Sequence, residues 1–363
     1  MGKRIIIAGG GTGGHIFPAL AIANALKQQD PSVTLLFIGA KDKMEMQKVP
    51  QAGYDIEGLD IAGFNRSSLI KNIGLPLKLI RSFFQVRKIF SRFRPDAVIG
   101  VGGYSSFPVL RYAQQQGIAS FLHESNSFAG KSNQMLGRKA TRIFVASAGM
   151  EKFFPAEKIM VTGNPVRAAI AESVTTREEA IRLFGLDPAL VTILSVGGSL
   201  GAKTINEAIA AGLPLLKDKN LQLIWQTGKP FAAQGRSAAA AYPNVWVGEF
   251  ITDMDKAYAA ADIIISRAGA MAIAEIALVR KPAILVPYPF AAEDHQTENA
   301  RQLANRNAAI LVRDDTVKTE LLPAALDLAD NPDMQAAMSA QLAPLGIKDA
   351  DRVIAREILQ IIQ

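Results

Sequence analysis

Residues 4–18 read RIIIAGGGTGGHIFP, an apolar β-branched run that ends in five glycines around one threonine. The run is typical of a buried β-strand, and residues 18–27 predict the helix that follows. Glycines let backbone N–H groups approach a ligand closely, and the next helix N-terminus adds a partial positive charge. We therefore expect the loop to bind a phosphorylated or otherwise anionic group, with a tight strand-to-helix turn as the structural alternative.

Gly9, Gly11 and Gly14 satisfy the G-x-G-x-x-G pattern of dinucleotide-binding folds. That pattern also needs an acidic residue at the end of the second strand, where it holds a ribose. The second predicted strand, residues 33–38, runs on into Gly-Ala-Lys, so the sequence disfavours a dehydrogenase. His15 follows the loop directly and is either a hydrogen-bonded structural residue or a general base.

The composition is that of a globular protein with two domains. Of the 363 residues, 49% are hydrophobic and 20% are charged, which is sufficient for two cores. The absence of cysteine excludes disulfides and thiolate metal sites. Because the apolar runs are short, we expect no signal peptide and no membrane span, and hence a cytoplasmic location. The net charge of +7 favours an anionic partner: nucleic acid, an acidic membrane surface or a phosphorylated substrate.

Short apolar runs that alternate with helical sequence predict an α/β fold with parallel sheets. The first set of runs lies at residues 4–8, 33–38, 97–101, 119–122, 142–145 and 159–162. The second set lies at residues 191–196, 221–225, 245–247, 262–266, 283–286 and 309–312. We therefore predict two doubly wound, Rossmann-like domains with a hinge near residues 163–167. They are expected to face each other across a cleft that binds ligands at the carboxyl ends of the strands.

Three further glycine loops follow predicted strands, at residues 100–106, 197–202 and 266–271. A turn explains each one alone, but their repetition predicts that both sides of the cleft bind phosphates. Glu275 lies among apolar neighbours in the helix after the last loop. A buried carboxylate needs a polar partner, and a ribose diol is the one we favour over solvent. Gln296 belongs to a polar cluster that either recognises sugar hydroxyls or caps the next helix.

Eight motifs, in this order, resemble those of the GT-B glycosyltransferases across essentially the whole chain. They are GGGTGGHIFPALAIA, DAVIGVGGYSSFP, HESN, TGNPVR, GGSLGA, EFITDM, RAGAMAIAE and DHQTENA. They most resemble the bacterial family that adds N-acetylglucosamine (GlcNAc) to undecaprenyl-pyrophosphoryl-N-acetylmuramoyl (MurNAc)-pentapeptide, the peptidoglycan precursor. The resemblance implies a GT-B fold with an acceptor- and membrane-binding domain at residues 1–164 and a UDP-GlcNAc-binding domain at residues 165–344. It also implies that a C-terminal helix within residues 345–363 packs back on the first domain.

The resemblance implies inverting transfer of GlcNAc to the MurNAc 4-hydroxyl, with no metal or other cofactor. His15 and Glu124 are then the candidate catalytic residues, and the candidate acceptor contacts are Gly103, Tyr104 and Asn133. The candidate contacts to UDP-GlcNAc are Thr12, Gly13, Gly14, Asn126, Arg167, Ser199, Ile251, Ala270, Met271, Ala272, Ile273, Ala274, Glu275 and Gln296.

Among the donor contacts, the resemblance assigns uracil to the Ile251 backbone, ribose to Glu275, and GlcNAc to Gln296. It assigns the diphosphate to Ser199 and to the helix start at Ala270. The chain departs from the family pattern where Ser125 and Leu200 replace usual glutamines and Ala272 replaces a frequent threonine. Contacts made by backbone amides survive these changes, whereas a side-chain bond from the threonine position does not.

A basic segment predicts a contact with an anionic membrane. Residues 61–95 contain eight Lys or Arg and no acid. A helix predicted at residues 76–93 has one apolar face for the core and a second apolar strip flanked by basic residues. Such a strip is typical of a bilayer contact, with a packed helix bearing a solvated basic face as the alternative. The residues expected at the membrane are Ile73, Leu77, Lys78, Ile80, Arg81, Phe84 and Lys88.

Other readings of the charge and motifs are weaker but stay open. The aromatic residues of the basic segment follow its core face, so we expect no nucleic-acid partner. Two Asp-x-Asp sequences, at residues 253–255 and 349–351, lack the preceding strand that a metal site would need, and we expect no metal there. The alternatives are a UDP-GlcNAc 2-epimerase, which needs no lipid contact, another glycolipid transferase, and a non-catalytic membrane or nucleic-acid binder.

Overall fold

The computed structural model describes residues 2–63, 72, 74–198 and 200–363. Two predicted site residues, Ile73 and Ser199, lie outside these described residues. The chain divides into two units, the first formed by Met1–Arg167 with Asp349–Gln363 and the second by Ala168–Lys348. Each unit contains a parallel sheet covered by helices, as the alternating apolar runs predict.

The sheet of the first unit has seven strands within the described residues, in the order β3-β2-β1-β4-β5-β6-β7. Strand β1 is central, and its alternate side chains enter two cores, with Ile5 and Ile7 on one face and Ile6 and Ala8 on the other. Burial on both faces explains why this strand is a continuous apolar run. The strands are β1 (Arg4–Ala8), β2 (Thr34–Ala40), β3 (Ile56–Leu59), β4 (Ala97–Gly100), β5 (Ala119–Glu124), β6 (Arg142–Val145) and β7 (Ile159–Val161).

The first helix begins earlier than predicted, at Gly13 rather than Pro18. Thr12 is extended, with φ −143° and ψ 158°, and the chain becomes helical directly after it. The two glycines after Thr12 therefore belong to the helix, and Pro18 lies inside it. The helices of the first unit's main segment are α1 (Gly13–Gln29), α2 (Glu45–Gln51), α3 (Leu75–Phe93), α4 (Ser106–Gln115) and α5 (Lys131–Gly137).

The second unit contains a six-stranded sheet within its described residues, in the order β10-β9-β8-β11-β12-β13. Its strands are β8 (Thr192–Val196), β9 (Gln222–Gln226), β10 (Val245–Gly248), β11 (Ile263–Ser266), β12 (Ala283–Leu285) and β13 (Ile310–Leu311). Its helices are α6 (Ala168–Ala171), α7 (Arg177–Leu183), α8 (Lys203–Asp218), α9 (Ala232–Ala239), α10 (Met254–Ala260), α11 (Ala270–Val279), α12 (His295–Ala304), α13 (Val317–Ala329) and α14 (Pro332–Leu342).

Both sheets are doubly wound, and this topology places the candidate sites. In each sheet the strand order reverses beside the first strand, between β1 and β4 in the first unit and between β8 and β11 in the second. Open α/β sheets bind ligands outside the carboxyl ends of the strands at such a reversal. All four of these strands end in one of the glycine-containing loops found in the sequence.

The last helix, α15 (Ala350–Ile361), belongs to the first unit although it follows the second in sequence. Its apolar face, which includes Ile354 and Ile358, joins the core that contains Ile22 and Leu26 of α1. Glu357 of α15 also pairs with Arg142 of β6 at 3.0 Å. None of the described helices is long and apolar enough to span a bilayer.

Candidate active site

The glycine loops after β1 and β4 touch each other through their backbones. Gly10 N–H donates to the Gly102 carbonyl at 3.3 Å. A Cβ on Gly9 would come within 2.6 Å of the Gly102 oxygen, and a Cβ on Gly103 would strike the Gly10 carbonyl. Bare backbone is therefore required here because the loops pack against each other, independently of any ligand.

A buried carboxylate that no sequence motif indicates accepts a hydrogen bond from the backbone of the first glycine loop. Glu45, at the start of α2, is buried, and its Oε2 accepts a hydrogen bond from Gly11 N–H at 2.9 Å. Its Oε1 accepts from Ala40 N–H at 3.0 Å. The Gly11 N–H group, expected to face an anionic ligand, therefore binds an internal carboxylate instead. The glycine-loop pattern predicts the local backbone but not which group occupies it.

His15 is fixed between the two loops. Its Nδ1 lies 3.1 Å from the Gly10 carbonyl oxygen and 3.3 Å from Thr12 Oγ1. Since a carbonyl only accepts hydrogen bonds, Nδ1 carries the proton and Nε2 is the nitrogen that can accept one. A Cβ placed on Gly102 would come within 2.7 Å of Nε2, so the basic edge of the ring lies over Gly102. Tyr104 belongs to the same second loop.

A second histidine lies near His15 and is fully buried. His123, at the end of β5, has its pKa lowered to about 4, mainly by burial. A backbone hydrogen bond with Gly163 opposes this shift, and charge on His15 adds to it. His123 is therefore neutral at physiological pH. His123 belongs to the HESN motif, but the motif alone predicts no role for it, because its proximity to His15 depends on the fold.

Glu124 holds two other predicted site residues in place. Its Oε1 accepts from the backbone and side-chain N–H groups of Asn126, at 3.0 and 3.3 Å. Its Oε2 accepts from Asn133 Nδ2 at 2.8 Å and from Gly130 N–H at 3.4 Å. Burial raises the pKa of the Glu124 carboxyl, and these four donors oppose the rise. By accepting these four hydrogen bonds, Glu124 holds the segment between β5 and α5 in place.

In the second unit, the N-terminus of α11 follows β11 directly. Gly269 is the extended N-cap residue, and its carbonyl accepts the first intrahelical hydrogen bond, from Ile273 N–H at 3.0 Å, so the N–H groups of residues 270–272 lie ahead of that bond at the helix end. Glu275 is buried one turn further on, where its Oε2 accepts from the Tyr258 hydroxyl at 3.0 Å. Tyr258 is a buried residue of α10, and no sequence motif points to it. This helix end combines anion-binding amides with a hydrogen-bonded carboxylate.

Gln296, in the first turn of α12, has a defined amide orientation. Its Oε1 accepts from Tyr288 N–H at 2.9 Å, so its NH₂ group points away from that loop. Arg267 supports the same loop by donating to the carbonyls of Val286 and Pro287, at 3.2 and 3.1 Å, and it pairs with Asp314. The amide of Gln296 is therefore presented as a donor.

The predicted donor contacts are distributed over both units. Thr12, Gly13, Gly14, Asn126 and Arg167 belong to the first unit. The second unit contributes Ile251, in the loop after β10, residues 270–275 and Gln296. The acceptor candidates Gly103, Tyr104 and Asn133 all belong to the first.

Neither Asp-x-Asp sequence forms a cluster of metal ligands. Asp253 precedes α10 and bonds Lys256 at 3.1 Å, while Asp349 precedes α15. Within the part of the chain that the structure describes, no three histidine or acidic side chains are grouped to hold a metal ion.

Two doubly wound units with glycine loops at their strand reversals are typical of the GT-B fold, and the family comparison narrows the class to glycosyltransferases. Residues 5–145 match the glycosyltransferase family 28 N-terminal domain, and residues 192–354 match the glycosyltransferase family 28 C-terminal domain. The chain belongs to glycosyltransferase family 28.

Individual relatives within the family are similar to this chain over nearly its full length. The chain is 51% identical over 361 residues to the UDP-N-acetylglucosamine–N-acetylmuramyl-(pentapeptide) pyrophosphoryl-undecaprenol N-acetylglucosamine transferase of Phocaeicola vulgatus, covering 99% of this chain and 96% of that protein. The crystal structure of Acinetobacter baumannii MurG is 31% identical with a TM-score of 0.81, and 99% of each chain is covered. A putative UDP-N-acetylglucosamine 2-epimerase from Listeria monocytogenes, at 16% identity and a TM-score of 0.71 over 100% of this chain and 97% of that one, shares the fold alone.

The low pKa of His123 predicts acid-sensitive stability. The imidazole of His123 has a pKa of about 4 in the folded protein and its ordinary value of 6.5 in the unfolded chain, so the unfolded chain binds the proton first as the pH falls. Its stabilising contribution is therefore complete above pH 6.5 and is lost towards pH 4, with about 2 kcal/mol lost by pH 5. Hydrogen exchange of the β5 amides at about pH 7.5 and pH 5 measures this loss. His123→Gln should lose correspondingly less, and equal losses in both proteins would contradict the assignment.

The Glu124 contacts predict a reciprocal rescue. Glu124→Gln places an NH₂ group against the N–H donors of Asn133 and Gly130 and should cost about 1–3 kcal/mol. Asn133→Asp alone should also destabilise, because two carboxyl groups then meet. In the double variant, the amide of Gln at position 124 donates to the carboxylate of Asp at position 133. The double variant should therefore recover much of the lost stability, measured by hydrogen exchange as the opening free energy of the β5 amides. Simple addition of the two losses would show that the pair is not coupled.

Proposed function

We propose that this protein transfers GlcNAc from UDP-GlcNAc to the 4-hydroxyl of MurNAc in undecaprenyl-pyrophosphoryl-MurNAc-pentapeptide, with inversion at the anomeric carbon. The observation that carries the proposal is 51% identity over 99% of the chain to a transferase whose name states this donor, this acceptor and the transfer of GlcNAc. Fold alone does not carry it, since the epimerase structure shares the architecture. The product belongs to peptidoglycan synthesis.

His15 serves as the general base in this proposal. Its Nδ1 is committed to the Gly10 carbonyl, which leaves Nε2 as the ring nitrogen that accepts the proton from the MurNAc hydroxyl. The neutral state of the neighbouring His123 adds no positive charge that would disfavour this transfer. The hydroxyl oxygen attacks the anomeric carbon, the bond to the diphosphate oxygen breaks, and UDP leaves.

The second unit supplies most donor contacts in the proposal. The N–H groups at residues 270–272 stabilise the charge that develops on the leaving diphosphate, because a helix N-terminus favours an anion. Glu275 accepts from the ribose hydroxyls with its carboxyl oriented by Tyr258, and the Ile251 backbone binds uracil. Gln296 donates its NH₂ group to the GlcNAc hydroxyls. Ser199, Thr12, Gly13, Gly14, Asn126 and Arg167 complete the proposed donor set.

The first unit binds the lipid acceptor in the proposal. Gly103 and Tyr104 lie in the loop that contacts the His15 loop, so an acceptor bound there lies beside the base. Glu124, predicted as catalytic, acts by orienting Asn126 and Asn133: both side-chain amides donate to it and therefore turn their carbonyl oxygens outward. No divalent metal has a step in this scheme.

Helix α3 is the proposed membrane contact. Leu77, Ile80 and Phe84 are 54%, 55% and 67% exposed, which is unusual for three apolar side chains on one helix. Arg81 and Lys88 are exposed beside them. Such a strip suits the anionic cytoplasmic face of the bacterial plasma membrane, where the lipid acceptor is anchored. We propose no nucleic-acid partner.

Two ion pairs reduce the free positive charge of this segment. Lys78 lies 3.8 Å from Asp60, and Arg92 pairs with Glu57. Both acids lie before the acid-free stretch, so the sequence count overstates the charge available to lipid. Arg81 and Lys88 are therefore better test positions than Lys78.

The decisive experiment supplies labelled UDP-GlcNAc with and without the undecaprenyl-pyrophosphoryl-MurNAc-pentapeptide acceptor. We expect labelled lipid product and stoichiometric UDP only when the acceptor is present. A 2-epimerase would instead convert UDP-GlcNAc to its 2-epimer without lipid, and another glycolipid transferase would require a different acceptor. Either outcome, with no labelled MurNAc-lipid, would refute the proposed function.

The membrane proposal predicts charge-dependent vesicle binding. Reversal of Arg81 and Lys88 to glutamate should weaken binding to phosphatidylglycerol vesicles by at least about 30-fold, since each basic group near the surface contributes about 1 kcal/mol. Lys217 and Lys229, exposed lysines of the second unit, provide the matched reversal and should leave vesicle binding near the wild-type level. Equal binding by both variants in a sedimentation assay would reject α3 as the contact.

A further inference from the structure

One peptide group connects the buried Glu45 carboxylate to His15. The peptide between residues 10 and 11 contributes the N–H of Gly11 and the carbonyl of Gly10. Its N–H donates to Glu45 Oε2 at 2.9 Å, and its oxygen lies 3.1 Å from His15 Nδ1. The two groups point in opposite directions because the peptide is trans. Glu45 and His15 therefore hold the same peptide from its two sides.

This peptide is one that would rotate easily without a restraint. It lies between two glycines with φ +149° and +89°, so no Cβ at either residue resists rotation of the peptide plane. Rotation would turn the N–H towards His15 Nδ1 and the carbonyl towards Glu45. The Glu45 carboxylate opposes that state, since two acceptors would then face each other.

The orientation of the peptide determines which ring nitrogen of His15 carries the proton. With the carbonyl towards His15, Nδ1 must donate and Nε2 is basic. With the N–H towards His15, Nδ1 must accept, so the proton moves to Nε2 and the ring is no base on that edge. An acceptor at Glu45 therefore favours the state of His15 that the transfer requires.

Packing around Glu45 keeps the carboxylate in position. The side chain is buried, and its second oxygen accepts from Ala40 N–H at 3.0 Å. Any Cβ on Gly10 would overlap the carboxyl group, and a Cβ on Gly39 would come within 2.5 Å of its Cγ. Two glycines on two different elements thus leave room for this one side chain.

We propose that Glu45 is a positioning residue that sets the tautomer of His15 by locking the peptide between Gly10 and Gly11. This inference rests on the proposed function only for the role of His15 in transfer. It assigns the first glycine loop a use other than binding phosphate, because the Gly11 N–H is already bonded and the adjacent carboxylate repels an anion.

Histidine ¹⁵N chemical shifts measure the tautomer directly. His15 signals are identified by their loss in His15→Ala. The wild type should show a protonated Nδ1, and Glu45→Gln, whose NH₂ group can donate to a rotated carbonyl, should show a mixed or Nε2-protonated ring. Glu57→Gln, an acid-to-amide change at the ion pair with Arg92, is the matched control and should leave the spectrum unchanged. A wild-type tautomer retained in Glu45→Gln would overturn the proposal.

A double-mutant cycle tests the catalytic consequence. Glu45→Gln should lower kcat by about 10- to 100-fold with KM for UDP-GlcNAc within about 2-fold, because only the base is misplaced. In the His15→Ala background the same change should have little further effect, whereas an independent structural role would multiply the losses. Multiplied losses would overturn the proposal. If Glu45→Gln shifts the tautomer but the wild-type protein transfers no GlcNAc, the proposed function is refuted and the Glu45 assignment stands.

Discussion

The Gly10 N–H group donates to the Gly102 carbonyl, and this contact joins the loops that follow β1 and β4. Chemistry in the first unit depends on how closely the two backbones approach. The absence of side chains at Gly9 and Gly103 permits that approach, and the ring of His15 lies over Gly102. The doubly wound topology brings the strand ends together, and the glycines convert that proximity into contact.

Buried carboxylates are used in both units as hydrogen-bond acceptors. Glu45 accepts from two backbone N–H groups, Glu124 from backbone and asparagine amides, and Glu275 from the Tyr258 hydroxyl. Hydrogen bonds compensate the cost of burying such groups while fixing the orientation of each donor. The carboxylates thereby determine which polar edges of neighbouring residues are presented to a ligand. These sites therefore depend on the orientation of uncharged donors, namely backbone N–H groups, asparagine amides and a tyrosine hydroxyl, rather than on clustered positive charge.

Features encoded by contiguous residues are predictable from the sequence, and features that join distant segments are not. The continuous apolar runs predict β1 and β6 with the bounds observed. Strand β3 was missed because Ile-Glu-Gly-Leu has little strand character and forms by pairing with β2 at the sheet edge. Glu45 reads locally as part of a surface helix, since its partners Gly11 and Ala40 belong to other elements. The site motifs were found from the sequence, whereas their internal hydrogen bonds required the fold.

The return of α15 to the first unit has a consequence for biosynthesis. The apolar side chains of α1 that pack against Ile354 and Ile358 emerge from the ribosome early, but their cover is translated only after the whole second unit. The nascent chain must therefore keep a hydrophobic surface exposed through most of its own elongation. The first unit is therefore completed only after the second unit has been translated. Until then, the exposed apolar surface makes the nascent chain a suitable client for a holding chaperone.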